Sequence, residues 1–461
     1  MAHMVAVRRG AYHAHDAIAG QKGGTTLLQR GYLWVIIYLA LLVVPLVVAA
    51  VGERPDSQEF VVEFSIALGF LGLAILLLQF LVSARIRAFT WPFGIDAVLQ
   101  FHRHIAFLGL LFILIHPLIL AVERSWNLLN PFDATVASAT GMLAVALVVV
   151  QLAVSMWRTW FRLSYGIWHI SHAAIAVAII GFSFWHVASA GAYLDTTWKS
   201  ILWITGGVGV VGLVTYTRVV KPARQLSKPY RVVDVRPEHG DAWTIELEPQ
   251  GHPGIRFLPG QFAWLSIGTS PFLSEEHPFS LASGSRGDDG SVAFTIKEAG
   301  DFTSHIKETP IGTRAYIDGP YGAFTFKRFP APGYVFVAGG IGITPIMSML
   351  RSLAEENDSR PLILVNANQT WDDVTYREEL EALTKELNLR IIHVLEDPPE
   401  SWDGETGLVT RELLDRYLPP ERHNFQYFLC GPPAMFNAVR ESLRQLDIPL
   451  SNIQIEEFAF A

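Results

Sequence analysis

Residues 101–121 read FHRHIAFLGLLFILIHPLILA, an apolar run long enough to cross a bilayer as a helix, with a histidine at each of two depths. His102 and His116 stand 14 positions apart. In a helix that spacing is about 21 Å of rise, and it puts the two rings within about 40° of one face. A second run, residues 165–188 (YGIWHISHAAIAVAIIGFSFWHVA), repeats the arrangement with His172 and His186, again 14 positions apart. Two such helices offer two ligand sets, one above the other. Neutral imidazole is a common axial ligand of haem iron, and ionisable residues are expensive inside a membrane unless they serve a function. The alternative is four unrelated histidines satisfied by neighbouring helices, and two identical spacings argue against it.

Working outward, 461 residues exceed one ordinary domain and suggest two to four. A mean hydropathy of +0.30 is too apolar for a wholly soluble chain. The apolar residues crowd into the first 220 positions, so a membrane half precedes a half of ordinary soluble composition. A net charge of −8 gives no case for nucleic-acid binding. Cys430 is the only cysteine, which excludes an internal disulfide, an iron–sulfur cluster and covalent haem attachment through CxxCH within this sequence. Any haem would be held without a covalent link, as b-type haem is.

Residues 1–30 are polar, carry Arg8, Arg9, Lys22 and Arg30, and read as a cytoplasmic N-terminal segment. Six apolar segments follow near 32–51, 60–84, 101–122, 136–156, 165–188 and 199–219, each about the 20 residues a bilayer requires. They define a six-helix transmembrane domain over 31–220. The N-terminus, the loop with Arg85 and Arg87, the loop with Arg158 and Arg162, and the tail with Arg218, Lys221, Arg224 and Lys228 are basic, which puts both termini in the cytoplasm. The third and fifth helices then run in the same direction. Parallel running pairs His102 with His172 on the inner side and His116 with His186 on the outer. His104, His169 and Arg103 read as interfacial, near haem propionates. Gly109 and Gly181 lie between the ligands, where missing side chains would leave room for a porphyrin; close helix packing through small residues is the alternative.

Residues 220–229 (VKPARQLSKP) read as a basic linker, and the chain shows no sequence repeat. From Tyr230 the periodicity shortens to strands separated by Gly and Pro turns, which predicts an antiparallel β-barrel over 226–328. Over 333–461 strands and helices alternate, which predicts a doubly wound α/β domain. The expected fold is thus a multidomain membrane protein: six-helix bundle, β-barrel, doubly wound sheet.

In the barrel, PGQF (259–262) and HPFSLAS (277–283) stand out. The second resembles the flavin signature of the ferredoxin-reductase-type barrel, in the histidine-first form of the ferric reductase and NADPH oxidase families. The paired-histidine helices resemble the haem domain of the same superfamily, so the resemblance covers about residues 32–461. It implies that His277, Pro278, Phe279 and Ser280 line the isoalloxazine and ribityl part of FAD, with the Ser280 hydroxyl facing flavin N5. Lys297 and the run Gly300, Asp301, Phe302, Thr303 and Ser304 match the segment near the pyrophosphate, where small hydroxyls and backbone amides suit an anion.

GGIGITP (339–345) joins the first strand of the sheet to its helix. Glycines let the backbone approach a pyrophosphate, and a helix N-terminus offers free N–H groups. The run matches the family's GGxGxTP nicotinamide-nucleotide motif through Gly339, Gly340, Gly342, Thr344 and Pro345, with Thr344 near the nicotinamide. Cys430, Gly431 and Pro432 match its CGPP, whose thiol lies beside the hydride path; a small buried hydrophobe is the other reading of Cys430. Family members often end in an aromatic stacked on the flavin, for which Phe458 aligns best and Phe460 is the alternative.

The resemblance implies a transmembrane oxidoreductase that moves electrons from cytoplasmic NADPH or NADH through FAD and two b-type haems to an acceptor outside. Ser280, Cys430 and Phe458 would stand at the hydride path. Bis-histidine ligation leaves iron no open position, so outer-sphere transfer is expected. The acceptor is read as O2, giving superoxide with Arg54 or Arg124 nearby, with a ferric chelate as alternative. Oxidases resembling this chain usually carry a further histidine where Leu120 stands, which favours the alternative. A haem-binding subunit of a larger complex is a third reading, opposed by the nucleotide motifs. No partner subunit is evident beyond the lipid bilayer, and the expected location is the plasma membrane of a bacterium. The segment 366–370, NANQT, followed by Asp372 and Asp373, lacks a cation for a 2′-phosphate, so NADH should be accepted at least comparably, with Arg377 the one cation in reach.

Overall fold

The computed structural model describes residues 29–51, 59–163, 165–191, 193–194, 196–273, 275–285 and 290–457. They form two compact units, one built on six apolar helices and one on two sheets.

The helical unit contains α1 (Gln29–Ala50), α2 (Phe60–Ser83), α3 (Ile95–Glu123), α4 (Val136–Met156), α5 (Tyr165–Ala190) and α6 (Thr197–Thr215). Each is long and apolar enough to span a bilayer. Most present apolar side chains outward, as lipid-facing helices must, but α2 is half buried, with Ala74, Ile75 and Val82 almost inaccessible. The reason is close packing through small residues. A Cβ at Gly72 would come within 2.6 Å of Ile113, and one at Gly109 within 2.9 Å of Ile75. Gly109 therefore seats α3 against α2 and does not clear space between ligands, which corrects the expectation for it. At Gly181 a Cβ would meet nothing within 4 Å.

Helices α2 and α3 pack side by side, as do α4 and α5, and the two hairpins share one plan. Ser65, Gly69 and Gln79 of α2 recur at the same spacing as Ala137, Gly141 and Gln151 of α4. The side chain of Gln79 donates to the His102 carbonyl (3.1 Å), and that of Gln151 to the His172 carbonyl (2.9 Å). A repeat thus exists where none was expected from the sequence. It lies in a few polar and small positions.

Residues 220–229 also differ from expectation. After α6 the backbone passes through one π-helical turn (Tyr216–Val220) and continues as helix over Lys221–Leu226. Only the stretch from Ser227 to the first strand is a linker. Pro222 does not break this helix because it sits in the first turn after the π segment, where its missing N–H is tolerated.

The second unit begins with an antiparallel sheet of β1 (Tyr230–Glu238), β2 (Ala242–Pro249), β3 (Phe262–Ile267), β4 (His277–Ser280), β5 (Val292–Lys297) and β6 (Arg314–Tyr321), in the order β4-β3-β6-β1-β2-β5. A bridge between Leu281 and Phe294 joins the two edges and curls the sheet round a core of Val232, Ile245, Leu247, Leu265, Phe294 and Ile317. Bulges at Val232/Asp234 and Phe262/Trp264 supply the curvature.

The remainder is a parallel sheet of β7 (Tyr334–Gly339), β8 (Leu362–Asn368), β9 (Leu389–Leu395), β10 (Glu405–Thr406), β11 (Gln426–Cys430) and β12 (Ile453–Glu456). Helices α7 (Ile343–Glu355), α8 (Arg377–Glu386), α9 (Arg411–Tyr417) and α10 (Pro433–Gln445) connect the strands. The order β10-β9-β8-β7-β11-β12 reverses between β7 and β11, and such a switch point opens a crevice at the carboxyl ends of the two strands. Continuous apolar runs such as YVFVAG fit strands covered on both faces.

Candidate functional site

The four spaced histidines meet in two pairs. His102 of α3 faces His172 of α5 with ring centres 6.4 Å apart, and His116 faces His186 at 6.3 Å. Two metal–nitrogen bonds of about 2.0 Å, with about 1.1 Å from each nitrogen to its ring centre, span about 6.2 Å. Each gap therefore has the length that one metal ion between the two imidazoles would need.

The far ring nitrogens are fixed by the neighbouring helices. His116 Nδ1 lies 2.9 Å from the Ser65 carbonyl, and His186 Nδ1 lies 2.7 Å from the Ala137 carbonyl. A carbonyl only accepts, so Nδ1 carries the proton in both rings and Nε2 keeps its lone pair for a ligand. In the other pair, His172 Nδ1 lies 3.2 Å from Ser155 Oγ, while His102 Nδ1 is buried without a partner among the described residues. His104 is exposed, and its Nδ1 is bonded to the Gln100 carbonyl at 2.7 Å. His169 packs beside Trp168. Neither enters a pair. Sequence reasoning missed Ser65, Gln79, Gln151 and Ser155; polar residues within apolar helices were the available signal.

The second group of expected residues lies on β4 and its neighbours. Ser280 is 5% exposed, and its hydroxyl has no hydrogen-bond partner among the described residues. A buried, unsatisfied hydroxyl is costly, and a bound group with a polar edge there would satisfy it. His277 stacks on Phe302, ring centres 4.1 Å apart, and Phe279 lies 6.1 Å from the same ring. Pro278 pairs across the sheet with Trp264. The 300–304 turn is tied by its own groups. The Thr303 hydroxyl accepts from the amides of Ala299 (2.8 Å) and Gly300 (2.9 Å), and the Ser304 hydroxyl donates to the Gly300 carbonyl (3.0 Å). These bonds close the turn on itself. Lys297 lies 3.8 Å from Asp373 of the parallel-sheet domain.

At the switch point the ends of β7 and β11 run side by side, with Ala338 opposite Cys430. The glycines explain how closely the two loops approach. A Cβ at Gly342 would sit 2.3 Å from the Cys430 carbonyl, and one at Gly431 would sit 3.0 Å from the Gly339 amide nitrogen. Gly340 differs: its φ is +53° and a Cβ there would meet nothing within 4 Å. Among these glycines its Cα is the one with open space beside it. The Thr344 hydroxyl donates to the Ile341 carbonyl (2.9 Å) and secures the first turn of α7, while Pro345 is buried in that turn. Cys430 is fully buried, and Pro432 precedes α10. Phe458 and Phe460 lie outside the described residues.

Beyond β8, Arg377 stacks on Trp371 (4.9 Å) and bonds His239 Nε2 at 2.9 Å, so this cation is already engaged. Asn368 donates to Asn366 (3.1 Å), yet Asn366 Nδ2, Asn368 Oδ1 and the neighbouring His393 Nδ1 are buried without partners among the described residues. Burial, with Arg377 adding to it, pushes the His393 imidazole down to about 4.

Three family matches cover most of this architecture. Residues 68–183 match the ferric reductase like transmembrane component, residues 230–325 an FAD-binding domain, and residues 336–441 the oxidoreductase NAD-binding domain. The chain belongs to the ferric reductase and NADPH oxidase superfamily. It has FAD- and NAD-binding domains and six helices long and apolar enough to cross a membrane. Curated relatives include NADH-cytochrome b5 reductase 1 of Debaryomyces hansenii, 35% identical over 170 residues (35% of this chain, 60% of the relative). The Arabidopsis thaliana protein of the same description is 35% identical over 150 residues (32% and 53%). The chain thus spans between half and two thirds of the length of these relatives. Among solved structures, a flavohemoglobin from Malassezia yamatoensis is similar at a TM-score of 0.47 and 17% identity, covering 86% of this superfamily member and 96% of that chain.

Proposed function

We propose that this oxidoreductase carries electrons from cytoplasmic NADH or NADPH across the membrane to molecular oxygen, releasing superoxide on the far side. His102 and His172 would hold an inner b-type haem, and His116 and His186 an outer one, about 21 Å apart along α3. When bound, FAD takes a hydride from the nicotinamide and the haems move single electrons. The observation that carries the reading is the pair of facing imidazoles at 6.4 and 6.3 Å. The haem fit rests further on the carbonyls of Ser65 and Ala137, which keep Nδ1 protonated and aim Nε2 of His116 and His186 into the gap.

On the cytoplasmic side, the buried Ser280 hydroxyl would face flavin N5 and Gly340 would admit the pyrophosphate. Thr344 and Cys430 would stand beside the nicotinamide, with Phe458 covering the flavin. Cys430 contributes a small side chain that lets the two rings approach. Both termini are assigned to the cytoplasm on the basic loops. The membrane would be the plasma membrane of a bacterium.

Oxygen needs only access to a haem edge, and Arg124, which caps the C-terminal end of α3, puts a cation on the outer side where superoxide charge develops. Leu120 favours a second reading, reduction of a ferric chelate by the same path. Haem content and spectrum test the shared part. H116A and H186A should each retain FAD and one haem, and H102A and H172A should lose the inner haem; full haem content in all four would overturn the pairing.

A further inference from the structure

Helix α7 begins at the 339–345 loop, and one of its faces grips the segment that follows β4. Ser348 donates to the Ser283 carbonyl (2.8 Å) and accepts from the Gly260 amide (3.4 Å). Arg351 donates to the Ala282 carbonyl (2.6 Å), and its other guanidinium nitrogens bind Glu379 of α8 in two bonds of 2.7 and 2.6 Å. Ser352 accepts from the Ser285 amide (3.0 Å). Glu355 approaches so closely that a Cβ at Gly284 would meet its carboxylate at 1.8 Å. Residues 348, 351 and 352 share one helical face, and both serines are fully buried. Polar residues on the buried face of a helix need a reason. Here they hold the backbone of 282–285 against the helix.

A second set of contacts locks the same joint. Arg351 lies over the Tyr376 ring at 5.0 Å. The Tyr376 hydroxyl donates to Thr295 of β5, which bonds Thr244 at 2.7 Å, and Thr244 donates to Glu238 at 2.7 Å. Burial keeps the Tyr376 phenol protonated, with its pKa pushed up to about 12, so it stays a donor throughout the working range. Arg351 therefore bonds the flavin-barrel backbone, α8 and the Tyr376 ring together.

We propose that Ser348, Arg351 and Ser352 are positioning residues for hydride transfer, and that α7 acts as a ruler between the flavin and the nicotinamide. At its N-terminus it carries Thr344, beside the nicotinamide. One turn later, about 6 Å along the axis, Ser348 fixes Ser283, three residues after Ser280, beside flavin N5. The inference rests on the reading that Ser280 and Thr344 face the two rings. Hydride transfer requires the nicotinamide carbon and the flavin nitrogen to meet within a narrow range of distance, and a displacement of about 1 Å costs about 100-fold.

The test uses the full-length holoenzyme with ferricyanide as electron acceptor, so that haem steps do not enter. Flavin reduction by NADH is followed by stopped flow, with 4-deuterated NADH and with the long-wavelength charge-transfer absorbance of the flavin–nicotinamide complex. R351M is expected to slow flavin reduction by about 10- to 100-fold, weaken the charge-transfer band and alter the isotope effect, while FAD content and KM for NADH change little. R351K, which keeps the charge and one donor, should recover part of the rate. S348A should move the same readouts in the same direction by a smaller factor. If R351M lowers only thermal stability, with band and isotope effect unchanged, the residues are structural and the proposal is overturned. Should R351M fail to hold FAD, S348A and S352A decide the matter by the same two readouts. S280A separates the underlying reading: unchanged flavin reduction there would remove Ser280 from the flavin edge, whatever the α7 variants do.

Discussion

Gly141 is the most demanding place to test the histidine pairs, because the perturbation is one methyl group. A Cβ at Gly141 would lie 2.8 Å from His186 Nδ1 and 3.0 Å from its Cε1, well inside ordinary contact. The ring would have to shift, and its 2.7 Å bond to the Ala137 carbonyl would lengthen or break. Crowding of this kind costs about 1–3 kcal/mol, and the lost hydrogen bond about 1 kcal/mol more. Taken together, about 2–4 kcal/mol corresponds to a loss of outer-haem affinity between about 30-fold and 700-fold. Gly69 is the counterpart in the other hairpin, with a Cβ 3.2 Å from His116, so G69A should act in the same direction but more weakly. G181A is the control, since a Cβ there would meet nothing within 4 Å. Pyridine haemochrome content per FAD, read with the reduced-minus-oxidised spectrum, should fall towards one haem in G141A and stay at two in G181A. Two full haems with an unaltered spectrum in G141A would refute the reasoning. Haem loss in G181A would return that glycine to the role expected from its sequence position.

The engaged state of Arg377 and the acids at 372 and 373 predict that NADH is used at least comparably with NADPH; paired steady-state kinetics check this, and a preference for NADPH above about 100-fold, near 2.7 kcal/mol, contradicts it. His393 predicts an acid-side loss of stability. Its folded pKa of about 4 lies below the ordinary 6.5, so the unfolded chain binds the extra proton first. Stability is unaffected above pH 6.5 and falls by up to about 3 kcal/mol as pH drops to 4; thermal release of FAD between pH 7.5 and 4.5 should show this slope, and H393L should flatten it. For the acceptor, NADH-driven cytochrome c reduction in air should be inhibited by superoxide dismutase. Insensitivity, together with rapid anaerobic reduction of a ferric chelate, would select the reductase instead.

What the sequence made legible was the part governed by spacing. Two 14-residue intervals in apolar runs, with loop charges that set the helices parallel, were enough to pair His102 with His172 and His116 with His186. Alternating strand and helix lengths likewise disclosed the two soluble folds. What it hid depended on which face of a helix meets which neighbour. Gly109 lies between two ligands in the sequence, but it projects at Ile75, and nothing in a list of residues distinguishes those directions. Lys221–Leu226 read as linker because proline and charge are loop signals, yet the preceding π turn carries the helix through them. The 300–304 turn is closed by its own Thr303 hydroxyl, a pairing that its composition does not announce. On α7, nothing in the sequence marks Ser348, Arg351 and Ser352 as more than polar interruptions of an apolar helix, because their partners, residues 282–285, are distant in the chain.

The internal repeat accounts for both what the two histidine pairs share and where they differ. Glutamines at equivalent positions bond the backbone of the inner ligands, and glycines at equivalent positions press on the rings of the outer ones. Equal ring separations then follow from one hairpin plan used twice, without separate tuning of each site. The two hairpins also depart from each other. Ser155 of α4 reaches His172, whereas Ser83, its counterpart in α2, turns back to the Phe80 carbonyl at 3.4 Å and leaves His102 Nδ1 without a partner among the described residues. In the outer pair both rings meet main-chain carbonyls, and the Ser65 hydroxyl adds a contact to His116 Nδ1 at 3.2 Å that has no counterpart at Ala137. From α4, His186 is therefore disturbed by crowding it and His172 by altering a hydroxyl. Gly141 and Ser155 are accordingly the informative positions on α4, one for each depth of the membrane.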